Sequence, residues 1–523
     1  MGEAPTVELS DSPPARRRGL GGGWREETVP LLTATAVLAL CLEQLLIPPV
    51  VALANNGDFN RLLALIGLRS TGPSFAIPYG WLHYSVGHTH APGGTYLTSY
   101  LGLTGLLGVI AHLLPGGALD SRVLAAALAV LLAIGVYLLV KAIPGQAARV
   151  AAGAVLVVGL CDARLVAYLD SWYDEPWSLL MLVGVTAWLL HNRGARNIPR
   201  RRLAVFSVIA ALLITAKTQD AVLVMPVIAA VVVLARRPGR SLSNRLRPAL
   251  LPCLLLVAVA VGFFAAQSPV YASESRYDLI FDDLLLHVQH PAATLEDLGL
   301  PAAMKTYAGT NAYQPGSGYH SVAFARFDAS DPTARLALYY ATHPTVAVGE
   351  LARGIQAGWQ EDLPYLGYRT KSSGAPPWAS GCGPCLYSDL TATASPAGVP
   401  LTIALYGAAL ILAARARRRS HPGTTDALVF LCAISATALI AAVFGEGHYE
   451  ETKHLYLFYT SNLLLLALSL AVASSLTATQ LTARMDRHLA EPPRQGAILR
   501  IARKSHPTSG LGHRAETPIC ACA

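Results

Sequence analysis

Long apolar runs separated by short polar segments dominate the amino-acid sequence. A helix that crosses the hydrocarbon core of a bilayer needs about 20 predominantly apolar residues, and most of the runs approach that length. The pattern therefore predicts an all-α polytopic membrane protein. The apolar runs are residues 29–53, 95–114, 123–141, 150–169, 176–190, 203–216, 221–235, 249–266, 399–414, 427–444 and 455–473.

Basic residues between the runs predict the orientation of the chain, because Lys and Arg concentrate on the cytoplasmic side of membrane proteins. If every run crossed, the basic cluster at 193–202 would lie outside, so one run is expected not to cross. Run 95–114 contains three glycines and His112, and we predict that it forms an interfacial helix on the outer face. Ten spans result, or eleven if this run also crosses, with both termini cytoplasmic. The clusters then inside are 193–202, 236–247, 415–419 and 484–503.

This topology divides the chain into five parts. Residues 1–28 form a basic cytoplasmic segment, and 29–266 form a transmembrane module with an outer loop at 54–122. The first run, 29–53, is too long for the apolar core of a signal peptide, so we expect it to be retained. Residues 267–398 are expected to form an extracytoplasmic loop domain. The last transmembrane helices occupy 399–474, and a basic cytoplasmic tail, expected to be disordered, follows at 475–523.

Composition agrees with membrane insertion. Of the 523 residues, 53% are hydrophobic and 14% are charged, whereas soluble domains contain about 25% charged residues. The net charge of +8 would suit nucleic-acid binding, but the Lys and Arg residues cluster between apolar runs, which is typical of topology signals. We therefore predict a multi-pass protein of the plasma membrane that contacts membrane lipid and binds no nucleic acid.

Ionisable side chains next to spans are costly and often functional. With the predicted topology, four groups of polar residues lie at the outer ends of spans. Each group also has an ordinary explanation: acidic residues before Pro176 could cap a helix, and lysines at span ends could snorkel to the interface. The groups are Asp58; Asp170, Asp174 and Glu175; Lys217 and Gln219; and His448, Lys453 and His454.

Carboxylates and cations on one membrane face suit a particular chemistry. A carboxylate can take a proton from an acceptor hydroxyl while cations hold a departing phosphate. If the phosphate carries a lipid tail, both groups must meet at the headgroup level. This set therefore points to glycosyl transfer from a polyprenyl-phosphate sugar.

Two motifs resemble the GT-C superfamily of integral-membrane glycosyltransferases: Asn56-Gly57-Asp58-Phe59 after the first run, and Asp170-Ser-Trp-Tyr-Asp174-Glu175-Pro176 in a later outer loop. A large late outer segment adds to the likeness. A narrower similarity to an actinobacterial type of hexose transferase rests on Ala216-Lys217-Thr218-Gln219 and on Lys453-His454-Leu455-Tyr456-Leu457-Phe458.

The resemblance implies a transferase that needs no metal or depends weakly on a divalent cation. Asp58 would be the general base or acceptor-binding carboxylate, assisted by Asp174 or Glu175. Lys217, Lys453 and His454 would contact the donor phosphate, and the predicted donor-phosphate or substrate-binding set also includes Gln219, Asp170 and His448. The partners implied are a polyprenyl-phosphate sugar donor and a cell-envelope glycan or glycolipid acceptor.

Other interpretations stay open at this point. The same charges would suit a secondary transporter or a translocase of lipid-linked glycans, and a non-catalytic assembly subunit is a third possibility. His83, His88 and His90 lack a helix-spaced pair, so we predict no metal ligands there. Cys382 and Cys385 have a spacing that fits either a local disulfide or free thiols.

Overall fold

The computed structural model describes residues 20–73, 76–91, 93–94, 96–192, 198–235, 242–330, 332–380, 383–418, 422–447 and 450–490. Helices dominate, as the apolar pattern predicted. The helices up to the middle of the chain are α1 Leu20–Leu46, α2 Phe59–Ile66, α3 Leu101–Leu113, α4 Arg122–Ala142, α5 Gln146–Leu160, α6 Ala163–Leu169, α7 Glu175–His191, α8 Arg200–Ile214, α9 Val224–Ala235 and α10 Leu242–Ala265.

Shorter helices fill the long segment 267–398, and four further helices follow it. The helices are α11 Pro269–Asp278, α12 Leu285–His287, α13 Pro291–Leu298, α14 Val322–Asp328, α15 Pro332–Thr342, α16 Pro344–Ala357, α17 Leu386–Ala394, α18 Gly398–Arg418, α19 Pro422–Gly445, α20 Glu451–His454 and α21 Tyr456–Ala490. The chain divides into a unit that ends at Ser475 and a short C-terminal unit that begins at Leu476; the fold and the site described below belong to the first.

Seven helical stretches among the described residues are long and apolar enough to cross a membrane, or eight if one bent pair counts as a span. The fold class, an all-α polytopic membrane protein, is thereby confirmed, while the number of ten spans stays a prediction. The stretches are Glu26–Leu46, Arg122–Ala142, Thr218–Ala235, Arg247–Ala265, Leu386–Arg418, Pro422–Gly445 and Tyr456–Thr482.

The run at 95–114, predicted to be interfacial, contains the 13-residue helix α3. At 1.5 Å per residue this helix is about 20 Å long, shorter than the roughly 30 Å hydrocarbon core.

Residues just before α3 form hydrogen bonds with the end of α8. Thr98 Oγ1 donates to Ala216 O at 2.6 Å, and Ser99 N donates to Thr215 O at 2.8 Å. Both carbonyls lie past the end of α8, so the segment before α3 satisfies them.

The sequence had suggested one continuous helix for the run at 150–169, but the structure shows two helices. Helix α5 ends at Leu160, and α6 begins at Ala163 after a bend of 70°. Asp162 occupies the break, where it accepts hydrogen bonds from Arg164 N at 3.1 Å and from Ser388 Oγ at 2.8 Å. Arg164 lies within 4 Å of Asp362 and Asp389. The side-chain partners of both charges come from the long segment 267–398.

Two small antiparallel sheets, not predicted, lie after α1. In the first, β1 (Ala54–Asn55) pairs with β3 (Ala76–Gly80); in the second, β4 (His83–Val86) lies between β2 (Leu68–Ser70) and β5 (Ala118–Asp120). The long segment joins the first sheet through its backbone, because Ala54 N donates to Gly367 O at 2.9 Å. This joint fixes the start of the loop that carries Asp58.

Apolar contacts hold this arrangement together in two clusters. The larger one contains the buried faces of α1, α4, α5, α7 and α19, and a second cluster around Tyr277, Phe281 and Phe324 lies within the long segment. Within the long segment, α15 ends at Thr342 and α16 begins at Pro344. Cys385 is disulfide-bonded, and Cys382 lies outside the described residues.

The bend at Asp162 leads to a prediction about stability. Asp162 is 1% exposed, and its replacement by alanine would leave the Ser388 hydroxyl and two backbone N–H groups without their acceptor. We expect Asp162→Ala to lower the free energy of unfolding by about 3 kcal/mol and Ser388→Ala, which removes one donor, to lower it by about half as much. Thermal unfolding of the detergent-solubilised protein measures both. Wild-type unfolding temperatures for Asp162→Ala would show that the break needs no side-chain acceptor.

Candidate active site

Asp58 stands at the start of a short helix because of the turn that precedes it. Gly57 has a φ of 114°, a conformation that side chains with a Cβ rarely adopt. Asn55 Oδ1 accepts from Gly57 N at 2.8 Å and from Phe59 N at 3.2 Å. The turn places Asp58 at the N-cap position of α2, where the helix dipole favours a negative charge.

Lys453 is the partner of Asp58. Its ammonium group contacts Asp58 Oδ2 and Glu450 Oε2, and it lies 5.0 Å from the centre of the Tyr173 ring. Asn56 Nδ2 donates to the other oxygen of Glu450. Lys453 is 3% exposed, so its charge depends on these carboxylates rather than on water. We call Asn56, Asp58, Arg61, Glu450 and Lys453 the Asp58 centre.

Arg61 is the second positively charged side chain next to Asp58. Its guanidinium lies 3.3 Å from Asp58 Oδ1, one helical turn further along α2. Burial by itself would raise the pKa of the Asp58 carboxyl, but the positive charges of Arg61 and Lys453 outweigh it and hold that pKa below its ordinary value. Asp58 is therefore an ionised acceptor of hydrogen bonds at neutral pH.

A second group of polar side chains surrounds Lys217, in the break between α8 and α9. Lys217 Nζ donates to Glu175 Oε1 at 2.8 Å and lies 3.2 Å from His454 Nδ1. Gln219 Nε2 donates to His454 O at 2.7 Å. We call Glu175, Lys217, Gln219 and His454 the Lys217 centre.

The break between α8 and α9 explains why the Lys217 side chain can reach Glu175 and His454. Lys217 has an extended backbone (φ −138°, ψ 153°) between the end of α8 and the 3-10 helix Thr218–Leu223. Irregular backbone near a membrane is tolerated where it is buried in protein or lines a cavity. The abrupt polar interruption of the apolar pattern was the sequence signal for this site.

Burial sets the protonation of His454. It lowers the pKa of the imidazole, and the nearby charges of Lys217 and Lys453 lower it further. His454 is therefore neutral at pH 7 and brings hydrogen-bonding atoms rather than charge to the Lys217 centre.

The two centres adjoin each other through consecutive residues. Lys453 belongs to the Asp58 centre and the next residue, His454, to the Lys217 centre. On the opposite side, Tyr173 OH donates to Asn56 Oδ1 at 2.9 Å, and Glu175 follows two residues later. The four sequence segments predicted to carry the chemistry thus meet in the folded chain.

Asp174, the residue before Glu175, has an unusual protonation state. Burial raises the pKa of its carboxyl to about 8, the neighbouring Glu175 adds to the rise, and a hydrogen bond from Tyr96 OH opposes it. Its Oδ1 is buried and has no hydrogen-bond partner of ordinary geometry among the described residues. A neutral carboxylic acid at this position can donate a hydrogen bond from Oδ1.

One predicted site residue, Asp170, is not part of this arrangement. Asp170 ends α6 and is buried; burial raises its pKa to about 7, against the effect of the Ser121 hydroxyl. No hydrogen bond or ion pair within the described part of the chain joins Asp170 to either centre. His448 lies outside the described residues.

The long segment 267–398 borders the Asp58 centre. The Arg61 guanidinium lies 4.3 Å from the centre of the Tyr271 ring, and Arg61 Nη2 is 4.0 Å from Glu274 Oε2. Tyr313 OH donates to the same glutamate at 2.8 Å. Ser275 Oγ donates to Glu446 Oε2 at 2.6 Å, which ties α11 to the end of α19.

Sequence reasoning missed several of these contacts. Arg61 could have been found, because it stands three residues after Asp58 and a helix starting at Phe59 places the two on one face. Tyr96 and Tyr173 carry no such signal, since their hydroxyls meet Asp174 and Asn56 only after folding. Glu450 was visible as an acidic residue, but its pairing with Asn56 and Lys453 was not.

Comparison with solved structures gives weak similarities. The oligosaccharyltransferase AglB from Archaeoglobus fulgidus, in complex with an inhibitory peptide and a dolichol-phosphate, aligns with a TM-score of 0.42 and 13% identity over 92% of this chain and 54% of that one. The oligosaccharyltransferase from the same organism tethered to an acceptor peptide gives 0.39 and 13% over 92% and 52%. The chain thus spans about half the length of these proteins.

No curated protein matches the chain. A family model does match, and it covers most of the sequence. Residues 24–488 match the family described as YfdI N-terminal transmembrane domain. The chain therefore belongs to the YfdI N-terminal transmembrane domain family.

Proposed function

We propose that this protein is a membrane glycosyltransferase of the GT-C type, which moves a sugar from a polyprenyl-phosphate donor to a cell-envelope glycan or glycolipid at the extracytoplasmic face. The observation that carries the proposal is the meeting of the Asp58 and Lys217 centres, which places an ionised carboxylate next to buried cations. Their members come from the loop after α1, the turn before α7, the α8–α9 break and the turn before α21.

Asp58 is assigned the role of binding the hydroxyl group of the sugar acceptor. Its low pKa keeps it ionised, so it orients the attacking hydroxyl through a hydrogen bond and receives the proton as the new glycosidic bond forms. Arg61 and Lys453 stabilise the carboxylate, and Lys453 is held in turn by Glu450. A carboxylate so strongly stabilised is a weak base, so its main contribution is to position and polarise the hydroxyl.

The Lys217 centre is assigned to the donor phosphate. Lys217 now donates to Glu175 at 2.8 Å, and an entering phosphate offers it further acceptor oxygens. Charge-assisted hydrogen bonds to phosphate are among the strongest in proteins. Neutral His454 and the amide of Gln219 offer additional hydrogen bonds without adding charge, so Lys217 supplies the electrostatic stabilisation as the phosphate leaves.

Asp174 is assigned the role of a hydrogen-bond donor to the substrate. With a pKa of about 8 it is mostly protonated at neutral pH, so Oδ1 can donate a hydrogen bond to a substrate oxygen. Asp174 and Asp58 thus carry different charges at the same pH because their surroundings differ. Such divergence between neighbouring carboxyls is typical of sites that perform proton transfer.

The location of the charges favours transfer over transport. A transport pathway would more often place ionisable groups near the middle of the spans. Asp58, Lys453 and His454 instead precede or follow the stretches long enough to cross, and Asp174 stands just before α7. We therefore place the chemistry at the membrane surface.

The role of Asp58 is tested by its amide variant. We expect Asp58→Asn to insert normally and to lose at least about 100-fold in transfer rate, because a neutral amide polarises the acceptor hydroxyl less and cannot take its proton. Incorporation of labelled sugar from polyprenyl-phosphate sugars into membrane glycans measures the rate. Asp120→Asn is the matched control, since Asp120 has similar exposure and also pairs with a nearby arginine, Arg122. Equal incorporation by Asp58→Asn and wild type would defeat the assignment.

The role of Lys217 is tested by donor affinity. Loss of one charge-assisted hydrogen bond to phosphate should raise the apparent KM for the polyprenyl-phosphate sugar by about 10- to 100-fold in Lys217→Ala. Lys141→Ala is the control, because Lys141 makes an ion pair of the same 2.8 Å length with Glu27 and contacts neither centre. An unchanged donor KM in Lys217→Ala would remove Lys217 from the phosphate site.

The protonation of Asp174 predicts a pH effect. Because burial raises its pKa to about 8, the proton is present below that pH and is lost as the pH rises through it. The wild-type rate should therefore fall above about pH 8, and Asp174→Asn, which keeps a donor at all pH values, should stay active and lose this alkaline limb. An inactive Asp174→Asn protein that folds normally would mean that the ionised form is the one required.

A further inference from the structure

A second group of ionisable side chains lies in the long segment, apart from the residues assigned above. Asp283, His287 and Glu350 each offer one ligand atom, and these three atoms lie within 4.8 Å of one another. His287 Nδ1 is 3.0 Å from Asp283 Oδ1. Two ligands on one tetrahedral zinc ion with bonds of about 2.0–2.2 Å lie roughly 3.4 Å apart, so this pair, which forms a hydrogen bond, needs to separate only slightly to share an ion.

Local structure explains the pairing of Asp283 with His287. The two residues are four positions apart in a helical stretch, with a π-helical turn over Leu279–Leu284 followed by α12. Side chains at this spacing lie on one face of a helix. Short π-helical turns inside α-helices frequently occur at functional positions.

Glu350 reaches the pair from another helix, α16. Its side chain is fully buried, and the Arg353 guanidinium on the next turn of α16 contacts it. Asp283 is likewise 1% exposed, whereas 32% of the His287 side chain is exposed. Two carboxylates buried against one another need compensating positive charge; Arg353 supplies one such charge, and a divalent cation would supply more. The partial exposure of His287 gives an ion a route from solvent.

We propose that Asp283, His287 and Glu350 bind one first-row divalent cation of the zinc class. One imidazole and two carboxylates suit Zn²⁺, while Ca²⁺ prefers a set of six to eight oxygen ligands. The sequence analysis predicted no metal ligands, because Glu350 meets the other two only through the fold.

The position of this ion gives it a structural role. It would join the stretch ending in α12 to α16 across the apolar cluster of the long segment. Gly447 packs directly on Leu279 and Asp283; a Cβ on Gly447 would approach Leu279 Cα to 2.8 Å. Gly447 precedes the turn that carries Glu450 and Lys453, so the ion would stiffen the support of the Asp58 centre without contacting substrate. This inference does not depend on the proposed transferase function.

Metal content of the purified full-length protein tests the proposal. The protein is stripped with EDTA, equilibrated with Zn²⁺ or with Ca²⁺, freed of excess ion and analysed by mass spectrometry. We expect wild type to retain Zn²⁺ and not Ca²⁺, and to unfold at a higher temperature with Zn²⁺. Asp283→Asn, His287→Gln and Glu350→Gln should each lose one equivalent of Zn²⁺ together with the thermal shift.

The matched control is His343→Gln. His343 lies on the same segment and pairs with Asp297 at 3.9 Å, but it is not among the three candidate ligands, so its Zn²⁺ content should equal that of wild type. His287→Cys keeps a zinc ligand at the position and should retain the ion, which separates ligand loss from misfolding. Equal Zn²⁺ content in wild type and in all three ligand variants would overturn the proposal, as would a wild-type protein that retains no Zn²⁺. Neither result bears on donor use by the Lys217 centre.

Discussion

The burial of Lys453 is the constraint on which the candidate site depends. An ammonium group taken out of water loses several kcal/mol of solvation, and only close, well-placed carboxylates repay that loss. Lys453 is 3% exposed, and the partners that compensate it are Glu450, three residues earlier, and Asp58, 395 residues away in the sequence. The loop after α1 and the turn before α21 must therefore meet for the charge to be tolerated. Asn56 reinforces the same junction by donating to Glu450.

Charge and burial together set the protonation of the neighbouring groups. Once Lys453 and Arg61 flank Asp58, its carboxyl stays ionised, whereas burial leaves Asp174, which lacks such cations in contact, protonated near neutral pH. His454 follows Lys453 and loses its charge because burial lowers the pKa of its imidazole and the two nearby lysines lower it further. One site thus holds an ionised carboxylate, a neutral carboxylic acid and a neutral imidazole next to Lys217. Removing either Asp58 or Glu450 would leave a charge with fewer partners, so these residues act as a unit.

The apolar pattern was sufficient to predict the helices that are long enough to cross a bilayer, since their lengths follow from its thickness. It also revealed Lys217, because a polar break in an apolar stretch is visible without a fold. The bend at Asp162 was missed, since its cause is Ser388, which lies more than 200 positions later. The first short sheet was missed for a similar reason, because Gly367 supplies part of its pairing. Arg61 was detectable only with a helix placed at Phe59. Contacts between remote residues depend on the fold, and no local pattern encodes them.

The central claim is that the donor is a lipid phosphate that gives up its sugar at this site. Its most direct measurement uses purified wild-type protein in proteoliposomes, supplied with defined polyprenyl-phosphate sugars or with nucleotide sugars, and quantifies the polyprenyl phosphate that is released. The account predicts acceptor-dependent release of polyprenyl phosphate and no turnover of nucleotide sugars. Movement of the intact lipid-linked sugar across the bilayer without its cleavage, or transfer from a nucleotide sugar, would contradict it.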